Sequence, residues 1–176
     1  MTFAALIATM VALATPTAHG TLEVRCQPIF GGGYGNATPW ASYVTLSPLA
    51  CGQVTRLIEH RAWAPRPDPA PKVRRTFREL DPLAVRTGLM ILLHEGGHVA
   101  QWRAGYISDE RPCESVLGCE LDAECRALAA LPRALKTLGY GFGVRQRAAA
   151  SMRYEIRFVN PAPYSGRCPA AAWSLR

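Results

Sequence analysis

The chain has 176 residues, a formal net charge of +7 and 49% hydrophobic residues. This length is that of one domain large enough to bury a core. The sequence contains no internal repeats, and no segment after the N-terminal 20 residues is long and apolar enough to span a bilayer. A repeat array and a polytopic membrane protein are therefore excluded.

The N-terminal segment MTFAALIATMVALATPTAHG contains no charged side chain. Thr2 to Ala14 is nearly all apolar, and small residues follow around Ala18 and Gly20. The pattern predicts a signal peptide over residues 1–20, cleaved between residues 14 and 20, and a secreted or periplasmic domain over residues 21–176. The alternative is a retained N-terminal anchor, which the shortness of the apolar run disfavours.

Two strands and a helix are predicted next. TLEVRCQPI (21–29) and WASYVTLSP (40–48) are strand-like, since β-branched residues alternate with others. GGGYGNATP (31–39), which lies between them, is predicted as a flexible loop because of its glycines and proline. CGQVTRLIEHR (51–61) is predicted as a short helix.

The stretch RAWAPRPDPAPKVRRTFR (61–78) is basic and rich in proline. Basic patches of this kind can bind nucleic acid, and they also occur as solvated loops. No DNA- or RNA-binding motif lies nearby, so we favour an exposed loop and expect no nucleic-acid partner.

The clearest predicted helix runs from Leu80 to Gly105. Asp81 is suited to the N-cap position, and Pro82 can occupy the first helical position without losing a hydrogen bond. LMILL in its middle is apolar on all sides, as in a helix that crosses the core. Three further helices are predicted at residues 114–131, 132–139 and 144–158, with Pro132 ending the first of them.

Six cysteines, an even number, all lie after the predicted signal peptide. In an oxidising compartment they are expected to form disulfides, with Cys26 joined to Cys51 and a later cysteine joined to Cys168. None forms a close CxxC pair of the kind found in structural zinc sites. The predicted fold is therefore α+β, mainly helical, with a small N-terminal antiparallel sheet and disulfide bracing.

The sequence HEGGH lies on the predicted central helix. His94 and His98 project from the same helical face, one turn apart, and can reach one ion. Glu95 is rotated by about 100° from His94, which places its carboxylate beside such an ion. This is the HExxH arrangement of two zinc ligands and a general base.

The alternative for this helix is a pair of core histidines that find hydrogen-bond partners. Burying two histidines and a glutamate after an apolar run is unfavourable unless something satisfies them, and a divalent cation does so directly. Gly96 and Gly97 also weaken a helix, by about 1 kcal/mol each relative to Ala. We therefore predict that they make room for the second helix or for a substrate.

A catalytic zinc site needs a third protein ligand, and no histidine follows His98. Asp109 and Glu110 lie in a predicted exposed turn, Glu155 is expected to form ion pairs, and Asp122 is expected to be exposed. Glu120 and Glu124 remain, four residues apart on the second helix. One could bind zinc while the other orients a ligand histidine, or both could be solvated surface charges.

HEGGH followed by CELDAEC resembles the gluzincin metallopeptidases, and it is most similar to small bacterial neutral zinc metallopeptidases with HExxH and ELxADC motifs. The resemblance covers residues 94–131. It implies a zincin-like domain in which the Zn²⁺ ligands are His94, His98 and Glu120. It further implies that Glu95 is the general base and that Glu124 partners a ligand histidine. Gln101 and Cys125 match family positions.

The resemblance implies metal-assisted hydrolysis of a peptide or protein substrate that runs antiparallel along an edge strand, for which residues 40–48 are the candidate. An oxyanion donor is also expected, and His60, Tyr140, Tyr154 and several arginines are equivalent candidates in the sequence. The alternatives to an enzyme are a non-catalytic zinc-stabilised binding domain and a metal-free disulfide scaffold. A zinc hydrolase acting on cell-wall amides is a further alternative.

Overall fold

The computed structural model describes residues 1–65 and 78–168. Most of the basic stretch at 61–78, predicted as a loop, lies outside the described residues. The described part is a mixed α and β fold that is mostly helical, braced by disulfides. Its main helices are α1 (Phe3–Ala18), α2 (Pro48–Ile58), α3 (Pro82–Ala84), α4 (Ile91–Arg103), α5 (Cys119–Thr137) and α6 (Phe142–Phe158).

The larger sheet has three strands in the order β1–β3–β2, which are Glu23–Cys26, Tyr43–Leu46 and Gly35–Thr38 respectively. β1 is parallel to β3 and β2 is antiparallel to it. The sheet is therefore mixed, and the prediction of an antiparallel sheet was wrong in this respect. The predicted loop at 31–39 was also wrong in part, because pairing with β3 makes β2 a strand despite its weak strand propensity. Strands β4 (Trp63–Pro65) and β5 (Arg78–Leu80) form a separate antiparallel pair.

The predicted central helix is present, with one interruption. Asp81 caps it, since its carboxylate accepts a hydrogen bond from the Leu83 N–H at 2.9 Å. A π-helical stretch, Val85–Met90, joins α3 to α4. Helix α2 approaches this stretch closely at Gly88, where a Cβ would lie 2.9 Å from the Val54 backbone nitrogen. At the other end Gly105 has a φ of +69°, and the helix stops there as predicted.

Helix α5 differs from the prediction at both ends. It begins at Cys119 rather than residue 114, because Gly118 adopts a φ of +77° and the preceding residues form a disulfide-closed loop. It also continues through Pro132 to Thr137. The buried leucines on either side of Pro132 keep this face of the helix against the core, which outweighs the lost hydrogen bond. Helix α6 matches the predicted last helix closely.

Both disulfide predictions are confirmed. Cys26 is joined to Cys51, and the tail is joined to α5 through Cys125–Cys168. A third disulfide, Cys113–Cys119, closes the loop before α5.

Helix α1 packs across α4. A Cβ on Gly96 would lie 3.4 Å from the Ala14 carbonyl oxygen, and Arg103 donates to the Ala18 carbonyl at 2.9 Å. Cleavage between residues 14 and 20 stays a prediction, and it would uncover this face of α4. Over residues 1–65 and 78–168, no helix has both the length and the hydropathy needed to cross a membrane.

Candidate metal centre

Helices α4 and α5 meet at a contact between Gly97 and Ala123. A Cβ on Gly97 would lie 3.2 Å from the Ala123 Cα atom, so a larger residue would force the helices apart. The close approach confirms that Gly97 makes room for the second helix. Gly96, on the neighbouring face, makes room for α1 instead. The contact places Glu120, one turn before Ala123, opposite the two histidines of α4.

The predicted ligand residues converge on one point. His94 Nε2 lies 3.0 Å from His98 Nε2, and Glu120 Oε2 lies 3.1 Å and 3.3 Å from these two nitrogens. Three potential ligand atoms thus form a nearly equilateral triangle. The histidines are buried, whereas Glu120 is partly exposed, so the triangle opens towards solvent on one side.

The triangle has the dimensions of a tetrahedral zinc site. With zinc–ligand bonds of about 2.0–2.1 Å, neighbouring ligand atoms are separated by about 3.3 Å, close to the separations found here. The chemistry of the donor set also fits zinc, since two imidazoles and a carboxylate leave a fourth position open, as in catalytic sites. The residues present therefore fit a zinc ion.

Gln101 fixes the orientation and tautomer of His98. Its side-chain amide nitrogen donates to the Cys119 carbonyl and to Asp122 Oδ2, both at 2.9 Å. Its amide oxygen must then accept from His98 Nδ1, which lies 2.8 Å away. A proton on Nδ1 leaves a lone pair on His98 Nε2, directed at the triangle.

Asp122 was predicted to be exposed, but it is partly buried. Its carboxylate accepts from Gln101 and from Arg126, the latter at 2.7 Å. Asp122 therefore supports the residue that orients His98. The i, i+4 spacing of Asp122 and Arg126 could have revealed the ion pair, but only the crossing of α4 and α5 brings Gln101 to them.

Glu124 faces the other histidine. Its Oε1 lies 3.8 Å from His94 Nδ1, which is near enough for electrostatic attraction and too far for a hydrogen bond. His94 Nδ1 is buried and has no hydrogen-bond partner among the described residues. Glu124 thus lies beside the His94 nitrogen that faces away from the triangle, without a hydrogen bond to it.

The carboxylates around the two histidines favour a positive charge at the centre. Burial disfavours the charged form of His94, but the hydrogen bond with Glu120 and the charges of Glu95 and Glu124 raise the pKa of His94 to about 8. Burial likewise disfavours the carboxylate of Glu120, but its bonds to the two histidines lower the pKa of Glu120 to about 2. The buried acceptors thus attract a cation, either a proton or a metal ion.

Glu95 is beside the triangle, in the place expected of a general base. It is only 8% exposed, and burial raises the pKa of its carboxyl group, while the charges of His94 and His98 oppose that shift. A carboxylate with a raised pKa accepts a proton more readily than a free one, as a general base must.

Two cavities, of about 350 Å³ and about 420 Å³, lie on either side of Glu95 and His94. Together they form a cleft across the centre. Tyr164 lines both cavities, and its ring centroid is 6.0 Å from that of His94. Burial and the nearby carboxylates raise the pKa of Tyr164, so it carries its proton at neutral pH.

Tyr164 was not among the residues expected at the site, because the tail that carries it has no helical or strand periodicity. Its position depends on the Cys125–Cys168 disulfide and on the packing of Gly166 against Leu121. The predicted disulfide to Cys168 was the one sequence signal that this tail returns to α5.

Residues 40–48 were expected to offer an edge strand, and that prediction was wrong, because β3 lies in the middle of its sheet. Within the described sheet, the edge that faces the centre is β2. The Ser47 N–H donates to the Tyr34 carbonyl, so Tyr34 faces β3. In an antiparallel pair every second residue bonds to the neighbouring strand, so the backbone N–H and C=O groups of Gly35 and Ala37 point away from β3. A Cβ on Gly35 would lie 2.7 Å from Glu95 Oε1, so this strand packs directly against Glu95.

Among the expected oxyanion donors, Arg86 lines the cavity of about 350 Å³, whereas His60, Tyr140 and Tyr154 lie elsewhere. Tyr140 donates to the Leu57 carbonyl at 2.8 Å and packs on His60, while Tyr154 packs on Phe158. None of these lines either cavity at the centre. Asp109 and Glu110 are exposed and Glu155 pairs with Arg86, all as expected.

Comparisons with known protein families, with characterised proteins and with solved structures give no match for this chain. A chemical role can therefore be assigned to the site only from the geometry of its residues.

Proposed function

We propose that this chain is an exported zinc-dependent metallopeptidase of the gluzincin type. The zinc ligands are His94, His98 and Glu120, and the general base is Glu95. The observation that carries the proposal is the triangle of ligand atoms, with sides of 3.0–3.3 Å, beside a buried carboxylate at the bottom of a cleft. Export is supported by three disulfides, which are typical of oxidising compartments.

The substrate backbone is expected to bind along β2. The outward-facing N–H and C=O groups of this strand can pair with an extended peptide, which would run antiparallel to it. Gly35 of this strand packs directly against the Glu95 carboxylate, so the strand lies beside the base. The two cavities then receive side chains on either side of the bond to be cleaved.

When bound, zinc supplies Lewis acidity towards water and towards the substrate carbonyl. Glu95 takes the proton of the attacking water and later delivers it to the leaving amine. Tyr164 lines both cavities and is protonated at neutral pH, so we assign it as the hydrogen-bond donor to the oxygen on which negative charge develops. Gln101 keeps His98 in the tautomer that can bind the metal.

The test is proteolysis of a fluorescently labelled unfolded protein by the full, oxidatively folded chain, with zinc content measured in parallel. Glu95→Gln is expected to keep its zinc and to lose turnover by at least about 100-fold. Glu110→Gln, a control at an exposed carboxylate, is expected to match the unmodified chain. Bound zinc without any hydrolysis would instead identify a non-catalytic zinc-stabilised domain.

A further inference from the structure

The Cys113–Cys119 disulfide lies against the metal centre. Cys119 Sγ is 3.2 Å from Gln101 Oε1, and Cys113 Sγ is 3.5 Å from Glu120 Oε1. The two sulfurs and a ring nitrogen of His98 all lie within 4.8 Å of one another. His98 therefore belongs to two groups of potential ligands, one with His94 and Glu120 and the other with these two cysteines.

The second group becomes a ligand set only when the disulfide is reduced. A dithiol reductant can reduce it by two electrons: the bond between the sulfurs breaks, each sulfur takes one proton from the dithiol, and the dithiol closes to its own disulfide. The two thiols can then bind a metal ion as thiolates, with release of those protons to solvent. Thiolates favour soft ions such as Cd²⁺ and Cu⁺, and they also bind Zn²⁺.

The loop around the disulfide allows this reaction. Cys113 is only partly buried and follows the exposed residues 108–112, so a small dithiol can reach its sulfur, whereas Cys119 is 1% exposed. Only five residues separate the two cysteines, and one of them is Gly118 with its φ of +77°. Opening the disulfide thus frees a short loop and leaves the start of α5 in place.

We propose that His98, Cys113 and Cys119 form a second, reduction-dependent metal site, hereafter the thiol site. In the oxidised chain His98 serves the His94–His98–Glu120 centre. In the reduced chain the thiol site competes for His98, and it withdraws this histidine from the centre when a metal binds there. Only this competition rests on the proposed function, whereas metal binding by the thiol site does not.

The experiment uses the full chain, reduced with a dithiol that is then removed under anaerobic conditions, and titrates it with Cd²⁺. Ultraviolet sulfur-to-cadmium charge-transfer absorption is the readout. The reduced chain is expected to gain this absorption with one equivalent of Cd²⁺ and to lose it on reoxidation. Cys113→Ser/Cys119→Ser is expected to abolish the absorption, and Cys125→Ser/Cys168→Ser, a matched pair, is expected to retain it.

Mass spectrometry after thiol alkylation provides a measurement without any variant. In the reduced chain, Cd²⁺ is expected to protect Cys113 and Cys119 from alkylation in preference to the other cysteines. No charge-transfer absorption, or equal protection of every cysteine, would overturn the proposal. The oxidised Cys113→Ser/Cys119→Ser protein should still contain zinc, so failure of the thiol site can be distinguished from failure of the metal centre at His94.

Discussion

Replacement of Gln101 by methionine tests how the metal centre is organised. Gln101 is fully buried, and it is the acceptor for His98 Nδ1 at 2.8 Å. Methionine has a similar volume but offers no comparable acceptor, so the Nδ1–H is left unsatisfied, at a cost of about 1–3 kcal/mol. His98 can then rotate or change tautomer, and its lone pair is no longer held towards the other two ligands.

We expect Gln101→Met to lower zinc affinity by about 10- to 100-fold, the usual effect of losing such a partner. The matched control is Gln53→Met, at another buried glutamine, whose side chain accepts from Arg56. Affinity is measured by competition with a chromophoric chelator, and thermal unfolding confirms that both variants fold. Equal zinc affinity in the two folded variants would refute the role assigned to Gln101.

Four further outcomes are expected. Tyr164→Phe lowers kcat by about 100-fold with little change in KM or in zinc content, which steady-state kinetics can check. Gly97→Ala separates α4 from α5 and weakens zinc binding in a chelator titration, whereas Gly52→Ala, where a Cβ meets nothing within 4 Å, does not. Gly35→Ala, whose Cβ would lie 2.7 Å from Glu95 Oε1, lowers turnover but leaves zinc content unchanged, as proteolysis and metal analysis would show. Zinc binds neutral imidazole, so below pH 8 it must displace the proton of His94. Calorimetry is therefore expected to show zinc affinity that falls about tenfold per pH unit below pH 8 and is constant above it.

Local chemistry in the sequence was sufficient to predict the helix that carries HEGGH. The Asp81 cap, the stop at Gly105 and the spacing of the histidines depend on neighbouring residues, and the structure has all three. The pairing of Cys26 with Cys51 was likewise predicted correctly.

Features that depend on tertiary contacts were missed. β2 contains glycine and asparagine, which have low strand propensity, and only its pairing with β3 makes it a strand. Pro132 normally ends a helix, but burial of Leu131 and Leu135 carries α5 past it. The position of Tyr164 at the centre and the hydrogen bond from Gln101 to Asp122 both join parts of the chain that are distant in sequence. No local pattern predicts such contacts.

The most direct test of the metal centre is the zinc content of the oxidatively folded chain, measured by mass spectrometry beside Glu120→Ala and Glu110→Ala. We predict one zinc ion per chain in the unmodified protein and in Glu110→Ala, and loss or strong weakening of zinc binding in Glu120→Ala. Absence of zinc from the unmodified protein, or equal zinc in all three, would contradict a centre formed by His94, His98 and Glu120.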